Sequence, residues 1–178
     1  MELNENTLSE SVKFDGNLIK VSVAQVELVN GKKAKREVVR HRGGVCIAAL
    51  TENDELLFVK QFRYPFSKVL LELPAGTLEE GKDPLEEGKR ELKEETGAVG
   101  ENYISLGKML SSPGWCSEII HLYFCKVKSF GEICPDEDEF LNTEKIPISD
   151  AKKMVLSNEI EDAKTQIAVL KLCNYLGI

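Results

Sequence analysis

The feature that most constrains the fold is a short segment whose two ends as a helix are set by local residues. Asp83 is a good N-cap, Pro84 suits the first helical position, and Glu86 has the spacing of a capping box. Gly97 is the residue type that ends a helix in the left-handed conformation. The sequence therefore predicts a helix over residues 84–96.

The side chains of this helix are sorted by face. At about 100° per residue, one sector is apolar or small, a second carries the basic residues and a third is acidic. The acidic sector consists of Glu87, Glu91, Glu94 and Glu95. Like charges at neighbouring helical positions cost roughly 0.2–0.5 kcal/mol per pair. A solvated acidic face is the ordinary interpretation, but this clustering favours a divalent cation that takes oxygen ligands.

Composition and charge exclude several classes of protein. The 178 residues suffice for one domain with a buried core, or for one domain with a small appendage. The net charge of −7 argues against a general nucleic-acid binder, although local arginines and a metal would still admit an anionic small molecule. The five cysteines form no Cys-x-x-Cys pair and are typical of reduced thiols. No apolar run approaches the ~20 residues of a membrane span, so we expect a cytoplasmic protein without membrane partners.

The pattern along the chain predicts more strands than helices. Residues 1–10 look frayed, and alternating apolar residues around Asn30-Gly31 predict a hairpin within 14–42. The remaining predicted strands are 45–50, 56–64, 69–73, 100–110 and 118–127, with a tight turn at 74–76 and two later helices at 149–157 and 163–176. This order indicates an α/β or α+β class with a mixed sheet. We expect an N-terminal β segment over 1–42 and a main domain over 43–178.

Residues 76–98 resemble the Nudix box, a pattern of Gly, five residues, Glu, seven residues, then Arg-Glu-aliphatic-x-Glu-Glu-x-Gly-aliphatic. The matches are Gly76, Arg90-Glu91-Leu92, Glu94-Glu95 and Gly97, with Ala98 as a small final residue. The first Glu of the box is replaced by Lys82. The resemblance implies that this position supports the loop and helix, so we expect Lys82 to affect stability more than chemistry.

Further segments are similar to the ADP-ribose pyrophosphatase branch of the Nudix hydrolases. They are QFRYPFSKVLLELPAG (61–76), SSPGWCSE (111–118), and DEDEF followed by IEDAKTQIAVL. The resemblance implies an α/β/α sandwich around a mixed sheet, with an N-terminal antiparallel hairpin or sheet that serves as the arm of a homodimer. It also implies hydrolysis of the nucleotide sugar ADP-ribose, or of a related ADP-sugar, with Mg²⁺ or with Mn²⁺ in its place. The products from ADP-ribose would be AMP and ribose 5-phosphate.

The expected metal ligands lie on the helix and on the turn before it. Glu91 and Glu95, four residues apart, are the expected pair of direct ligands, and Glu94 is a third ligand or an orienting group. The Ala75 carbonyl resembles the backbone ligand of the family. We expect Arg90 to pair with a carboxylate and hold the helix geometry.

The general base must come from elsewhere if the metal occupies the box glutamates. By the resemblance it lies in the acidic segment 135–140, where Glu139 is the first candidate and Glu137 the second. From the residues alone, a solvated acidic loop would be the preferred interpretation of this segment.

Four residues are candidates for contact with the substrate. Arg63 is the first, because a guanidinium matches phosphate geometry in a bidentate manner. The others are Glu72, Glu118 and Arg40. An ordinary salt bridge is the alternative for Arg63 and Glu72, and an exposed charge is the alternative for Arg40.

Two other functions remain open at this point. One is a Nudix hydrolase that acts on another nucleoside diphosphate derivative or on a damaged nucleoside triphosphate. The other is a domain that binds ADP-ribose without cleaving it, for which Lys82 is the one favourable feature. Product analysis separates all three.

Overall fold

The computed structural model describes residues 3–134 and 140–178. Its contacts divide the chain into two compact units, the first comprising residues 1–43 and 110–119 and the second comprising 44–109 and 120–178. Residues 110–119 accompany the N-terminal strands in this division, whereas the sequence analysis placed them in the second domain. The division into domains at residues 42 and 43 stays a prediction.

The first unit is built on a three-stranded antiparallel sheet in the order β1-β2-β3. Its strands are β1 (Asn6–Asp15), β2 (Ile19–Glu27) and β3 (Lys33–His41). The β2–β3 hairpin turns at the predicted Asn30-Gly31, where Gly31 has φ 76° and the Asn30 side chain accepts a hydrogen bond from the Lys32 N–H. Residues 110–119 join this unit through hydrogen bonds from Val39 N–H to the Trp115 carbonyl and from Ser117 N–H to the Val39 carbonyl.

The expectation that residues 1–10 are frayed is wrong from Asn6 onward, because β1 begins there. Every residue of β1 is exposed, so the strand lacks the buried alternation by which strands are recognised in a sequence. Backbone pairing with β2 holds it instead, together with polar side-chain contacts within β1 and at Glu5 just before it. Ser22 donates a hydrogen bond to Glu10, and Arg36 forms an ion pair with Glu5.

The second unit is organised around a seven-stranded mixed sheet. Its central order is β10-β5-β4-β9-β8, with β6 paired to β5 and β7 paired to β4. The strands are β4 (Gly44–Leu50), β5 (Glu55–Arg63), β6 (Lys68–Glu72), β7 (Ala75–Thr77), β8 (Ala98–Leu110), β9 (Ile119–Phe130) and β10 (Leu141–Pro147). The helices are α1 (Pro84–Thr96), α2 (Ile148–Leu156) and α3 (Ala163–Leu176). Strand β4 is parallel to β9 and antiparallel to β5 and β7.

Strand β4 is buried on both faces and separates two apolar cores. Alternate residues Cys46, Ala48 and Leu50 belong to the core that includes α2 and α3. The intervening residues Val45, Ile47 and Ala49 belong to the core that includes Leu92 of α1. Helices therefore cover both faces of the sheet, which confirms the predicted α/β/α sandwich.

Helix α1 has the predicted limits. The Asp83 side chain accepts hydrogen bonds from the Leu85 and Glu86 N–H groups, and Gly97 ends the helix with φ 70°. The Glu86 side chain accepts from Lys89, so it does not take the capping-box role that its spacing suggested. Gly88 lets α1 pack closely on β4, because a Cβ at this position would lie 2.6 Å from Ile47 Cδ1.

Two short strands differ from the sequence prediction. The tight turn expected at residues 74–76 leads directly into β7, whose Ala75 pairs with Cys46 of β4. Strand β10, which the sequence analysis left out, pairs with β5 along its whole length. Among the helices in the described parts of the chain, none combines the length and apolar character that crossing a membrane requires.

Candidate active site

The acidic sector of α1 faces the protein interior. Glu87 and Glu91 are each 7% exposed and Glu95 is 1% exposed. Burial of a carboxylate is strongly unfavourable unless charges or hydrogen bonds compensate it. Three of the four glutamates are therefore buried, and the Glu94 side chain is 30% exposed, so this sector is not the solvated acidic face that is usual on surface helices.

Arg90 supplies a compensating positive charge from the same helix. Its guanidinium bonds Glu91 at 2.6 Å, Glu94 at 2.5 Å and Glu87 at 3.3 Å. Burial lowers the pKa of Arg90, but these three carboxylates outweigh that effect and raise the pKa above its ordinary value. The expected pairing of Arg90 with a carboxylate is present and involves three partners.

The turn over residues 73–76 lies directly against this acidic sector. The Ala75 N–H donates to Glu95 Oε2 at 3.1 Å. A Cβ on Gly76 would lie 2.0 Å from Glu91 Oε1, so only glycine leaves room for that side chain. The contact of Ala75 and Gly76 with Glu95 and Glu91 brings the turn and the helix together at one place.

The oxygen donors gathered here have the chemistry that Mg²⁺ prefers. The residues expected to bind it, Ala75, Glu91, Glu94 and Glu95, all lie on α1 or at the start of β7. Within residues 3–134 and 140–178, however, no three His, Cys, Asp or Glu side chains are already arranged to hold a metal ion. Arg90 occupies oxygens of Glu91 and Glu94, so a cation would compete with it for them. The donor set fits a hard divalent cation, and the roles of these residues as ligands stay a prediction.

A second charged cluster joins β5, β6 and the start of α3. Glu72 is 1% exposed and accepts two 2.7 Å hydrogen bonds from Arg63, in a bidentate arrangement. Lys164 also donates to Glu72, and it lies 3.0 Å from Asp162. The salt-bridge alternative for Arg63 and Glu72 is thus present, and contact with a substrate stays a prediction for both. The Arg63 side chain remains 38% exposed, which leaves it accessible to a ligand.

The charges in this cluster set the ionisation of Glu72. Burial raises the pKa of the Glu72 carboxyl, but the hydrogen bonds and charges of Arg63 and Lys164 outweigh burial and hold the pKa below its ordinary value. Burial lowers the pKa of Lys164, and Asp162 and Glu72 together raise it above its ordinary value. Arg63, Glu72 and Lys164 are therefore charged at neutral pH.

The other two candidate substrate residues lie in the first unit. Arg40 of β3 is 3.6 Å from Glu10 of β1. Glu118 lies 3.5 Å from His41 Nδ1, but that nitrogen also accepts a 3.0 Å hydrogen bond from the Gly43 N–H. A nitrogen that accepts a hydrogen bond carries no proton, so this contact is not an ion pair in that state. The substrate roles of Arg40 and Glu118 stay predictions.

The two candidate bases, Glu137 and Glu139, lie outside the described residues. The chain that leads into their segment is fixed to the end of α1. Cys134 N–H donates to the Glu94 carbonyl at 3.0 Å, and Gly131 N–H donates to the Gly97 carbonyl at 2.7 Å.

Three residues at the start of α3 were not recognised from the sequence. They are Asp162, Lys164 and Thr165, which connect Glu72 and the backbone of Leu73 to this helix. The Asp-x-x-Thr spacing is a usable signal for a helix N-cap. It does not reveal contact with β6, because that contact depends on packing between elements distant in sequence.

Comparison with known proteins agrees with this geometry. The family model that describes the NUDIX domain matches residues 40–167 of the sequence. ADP-ribose pyrophosphatase of Bacillus subtilis (strain 168) is 40% identical over 169 residues, covering 94% of this chain and 91% of that protein. Methanol dehydrogenase activator of Bacillus methanolicus is 41% identical over 167 residues, covering 93% and 90%. GDP-mannose pyrophosphatase of Escherichia coli (strain K12 / DH10B) is 30% identical over 155 residues, covering 80% and 77%.

A solved structure supports the fold independently. A crystal structure of an ADP compounds hydrolase superposes with a TM-score of 0.87 at 20% identity, covering 99% of this chain and 97% of that one. Because the family model spans most of the chain, this protein belongs to the Nudix family of hydrolases. The predicted family and its fold are confirmed.

The buried Glu72 cluster predicts a pH-dependent contribution to stability. Because the pKa of Glu72 is depressed in the folded state, its contribution is complete above about pH 4.3, the pKa of an unfolded glutamate. That contribution is lost as the pH falls through the lower folded value. Glu72→Gln leaves Lys164 and Arg63 without their carboxylate, so we expect a loss of about 3 kcal/mol at pH 7. Urea unfolding of the wild type and of Glu72→Gln should show that the difference in their free energies of unfolding becomes smaller below pH 4.

Glu144→Gln is the matched control for this prediction. Glu144 lies on β10 and pairs with Lys60 of β5 at 2.6 Å, but its side chain is 42% exposed. An exposed pair contributes at most about 1 kcal/mol. The free energy of unfolding of this variant should therefore remain close to that of the wild type at pH 7 and at pH 3.5. A difference for Glu72→Gln that stayed constant from pH 7 to pH 3.5 would contradict the assigned ionisation.

Proposed function

We propose that this protein hydrolyses the pyrophosphate bond of ADP-ribose to AMP and ribose 5-phosphate in a Mg²⁺-dependent reaction. The observation that carries the proposal is the contact of the Ala75-Gly76 turn with Glu91 and Glu95 on α1. The 40% identity with an ADP-ribose pyrophosphatase over most of both chains supports the choice of substrate. Mn²⁺ is the alternative cation, since both ions take oxygen ligands.

In this proposal the protein residues bind, orient and accept a proton. Glu91, Glu94, Glu95 and the Ala75 carbonyl hold the cation, which supplies Lewis-acid stabilisation of the phosphate oxygens. Arg90 keeps Glu91 and Glu94 on one side of α1. Arg63 binds the anionic or ribose part of the substrate.

The reaction requires one proton transfer from the attacking water. Glu139, or failing that Glu137, accepts this proton as the water oxygen bonds to one phosphorus. The bond from that phosphorus to the bridging oxygen breaks, and the bridging oxygen leaves on the other phosphate. One water is consumed, and two phosphomonoesters result. Glu72, Glu118 and Arg40 are proposed to help orient the substrate.

Two alternative functions have specific support. GDP-mannose pyrophosphatases are among the relatives, which favours testing other nucleoside diphosphate derivatives. A domain that binds ADP-ribose without cleaving it is the second alternative, and the departure at Lys82 favours it. A damaged nucleoside triphosphate remains a further substrate to test.

A homodimer that uses the N-terminal sheet is also proposed. Leu8, Val12 and Phe14 of β1 are 49–55% exposed, which is apolar surface that a second copy would bury. Sedimentation equilibrium that gave only the monomer mass would reject this arrangement. A cytoplasmic location and the lack of nucleic-acid and membrane partners stay predictions.

The first prediction for this function concerns the products. Wild-type protein with ADP-ribose and Mg²⁺ should release AMP and ribose 5-phosphate, resolved by anion-exchange chromatography. Glu95→Gln should lower kcat by at least about 100-fold, because it removes an anionic ligand and the acceptor of the Ala75 N–H. Glu144→Gln should retain wild-type turnover. Binding of ADP-ribose without turnover would reject hydrolysis and favour the sensor, and faster turnover of GDP-mannose would reject the substrate.

The second prediction separates the two candidate bases. Glu139→Gln should lower kcat by about 100-fold or more, the usual effect of losing a general base. Mn²⁺ affinity should be unchanged, because Glu139 is not a proposed ligand. Glu137→Gln is the matched control and should stay within about threefold of wild type. The reverse order would assign the base to Glu137, and two unaffected variants would exclude this segment.

The third prediction concerns Lys82. The Lys82 side chain is exposed, and the Lys82 backbone N–H donates to the Glu79 carbonyl in the turn before α1. Lys82→Glu should stabilise the protein by up to about 1 kcal/mol, because an anion near a helix N-terminus is favourable. It should change kcat by less than about tenfold. Lys93→Glu reverses the same charge in the last turn of α1 and should instead destabilise. A gain in turnover of several orders of magnitude for Lys82→Glu would show that Lys82 limits the chemistry.

A further inference from the structure

The hydroxyl of Thr165 lies fully buried between α3 and the turn over residues 73–76. It donates to Asp162 Oδ2 at 2.6 Å and accepts a hydrogen bond from the Leu73 N–H at 2.9 Å. A hydroxyl has a single proton. Because the hydroxyl uses that proton to donate to Asp162, its oxygen lone pairs are left to accept from the Leu73 N–H.

Asp162 is itself held in place by two contacts. It accepts from the Thr165 N–H at 2.9 Å as the N-cap of α3, and it lies 3.0 Å from Lys164. Lys164 also contacts Glu72, the residue immediately before Leu73. The first turn of α3 therefore holds the side chain of Glu72 and the backbone of Leu73 together.

These contacts fix the chain that leads into the proposed cation site. Pro74 follows Leu73 and has no N–H, so the next backbone donor is Ala75, which bonds Glu95. Thr165 and Glu95 thus hold the two amide groups on either side of Pro74. The first comes from α3 and the second from α1, on opposite faces of the sheet.

We propose that Thr165, oriented by Asp162, is a positioning residue that sets the turn over residues 73–76 against α1 for cation binding. The inference rests on the proposed function, because it assumes that Ala75 and α1 hold the cation. The simpler alternative is a hydroxyl that only satisfies a buried amide. Both interpretations predict some loss of stability when the hydroxyl is removed, but only the positioning role predicts weaker cation binding.

The test compares Thr165→Val with Thr165→Ser, using Mn²⁺ alone as the probe. Valine keeps the shape and removes the hydroxyl, whereas serine keeps the hydroxyl. Electron paramagnetic resonance of free Mn²⁺ gives the dissociation constant without any enzymatic turnover. Thr165→Val should raise it about tenfold or more, as is usual when residues supporting a metal site are changed. Thr165→Ser should restore it to within about threefold of wild type.

Thr51→Val is the matched control. The Thr51 hydroxyl is also buried and accepts from two backbone amides, Asn53 N–H at 3.3 Å and Glu55 N–H at 3.2 Å. It lies in the turn after β4, at the end of that strand away from Cys46 and its partner Ala75. Thr51→Val should lower the melting temperature about as much as Thr165→Val and leave Mn²⁺ affinity unchanged.

Each outcome decides the proposal. Wild-type Mn²⁺ affinity in Thr165→Val, or equal weakening in Thr51→Val, would overturn it. A wild-type protein that bound no Mn²⁺ would overturn it together with the cation site. Weaker binding in Thr165→Val alone would support positioning even if ADP-ribose were not hydrolysed, and only the substrate assignment would then fail. If Thr165→Val does not fold, Thr165→Cys replaces it, because a thiol is a weaker hydrogen-bond acceptor.

Discussion

The site depends on how the turn over residues 73–76 is held. Backbone polar groups in the interior need hydrogen-bond partners, and here each partner comes from a different element. Leu73 N–H bonds Thr165 of α3, the Pro74 carbonyl accepts from Ile47 of β4, and Ala75 N–H bonds Glu95 of α1. The turn is therefore fixed jointly by the central strand and by the helices on both faces of the sheet.

Two glycines allow α1 to lie close to the central strand and to the turn. Gly88 brings α1 close to Ile47, and Gly76 leaves space for the Glu91 side chain. Neither glycine has a positive φ, and each position is limited by the space that a Cβ would need. The segment from Gly76 through α1 is therefore constrained by packing at its two glycines as well as by the charges of its glutamates.

The parts of the fold that the sequence predicted are those controlled by local interactions. The limits of α1 follow from Asp83 and Gly97, and the hairpin follows from Asn30-Gly31. Strand β1 could not be predicted, because its residues are exposed and cross-strand polar contacts hold it. Strand β7 could not be predicted either, because it has only three residues and is defined by pairing with β4, which is distant in the sequence.

The same distinction applies to the candidate site. The acidic arc of α1 is visible in the sequence because helical periodicity alone brings its glutamates together. The pairing of Glu72 with Lys164 joins residues 92 apart, and the contact of Thr165 with Leu73 has the same separation. No local pattern determines such contacts. Arg63 and Glu72 were recognised as candidates from their own segment, but the α3 residues that contact Glu72 and Leu73 were not.

Arg90 links the stability of α1 to its chemistry. Several buried carboxylates on one helix need a counter-charge, and Arg90 provides it at the spacings of Glu87, Glu91 and Glu94 within the same helix. These pairs lie within one helix, so they compensate part of the charge of the buried carboxylates locally. Arg90 Nε nevertheless is buried without a hydrogen-bond partner among the described residues, so the arrangement is not fully satisfied. A cation that takes oxygens of Glu91 and Glu94 must displace part of this pairing. Arg90 therefore compensates the charge of these carboxylates and also adds to the free energy that cation binding has to offset.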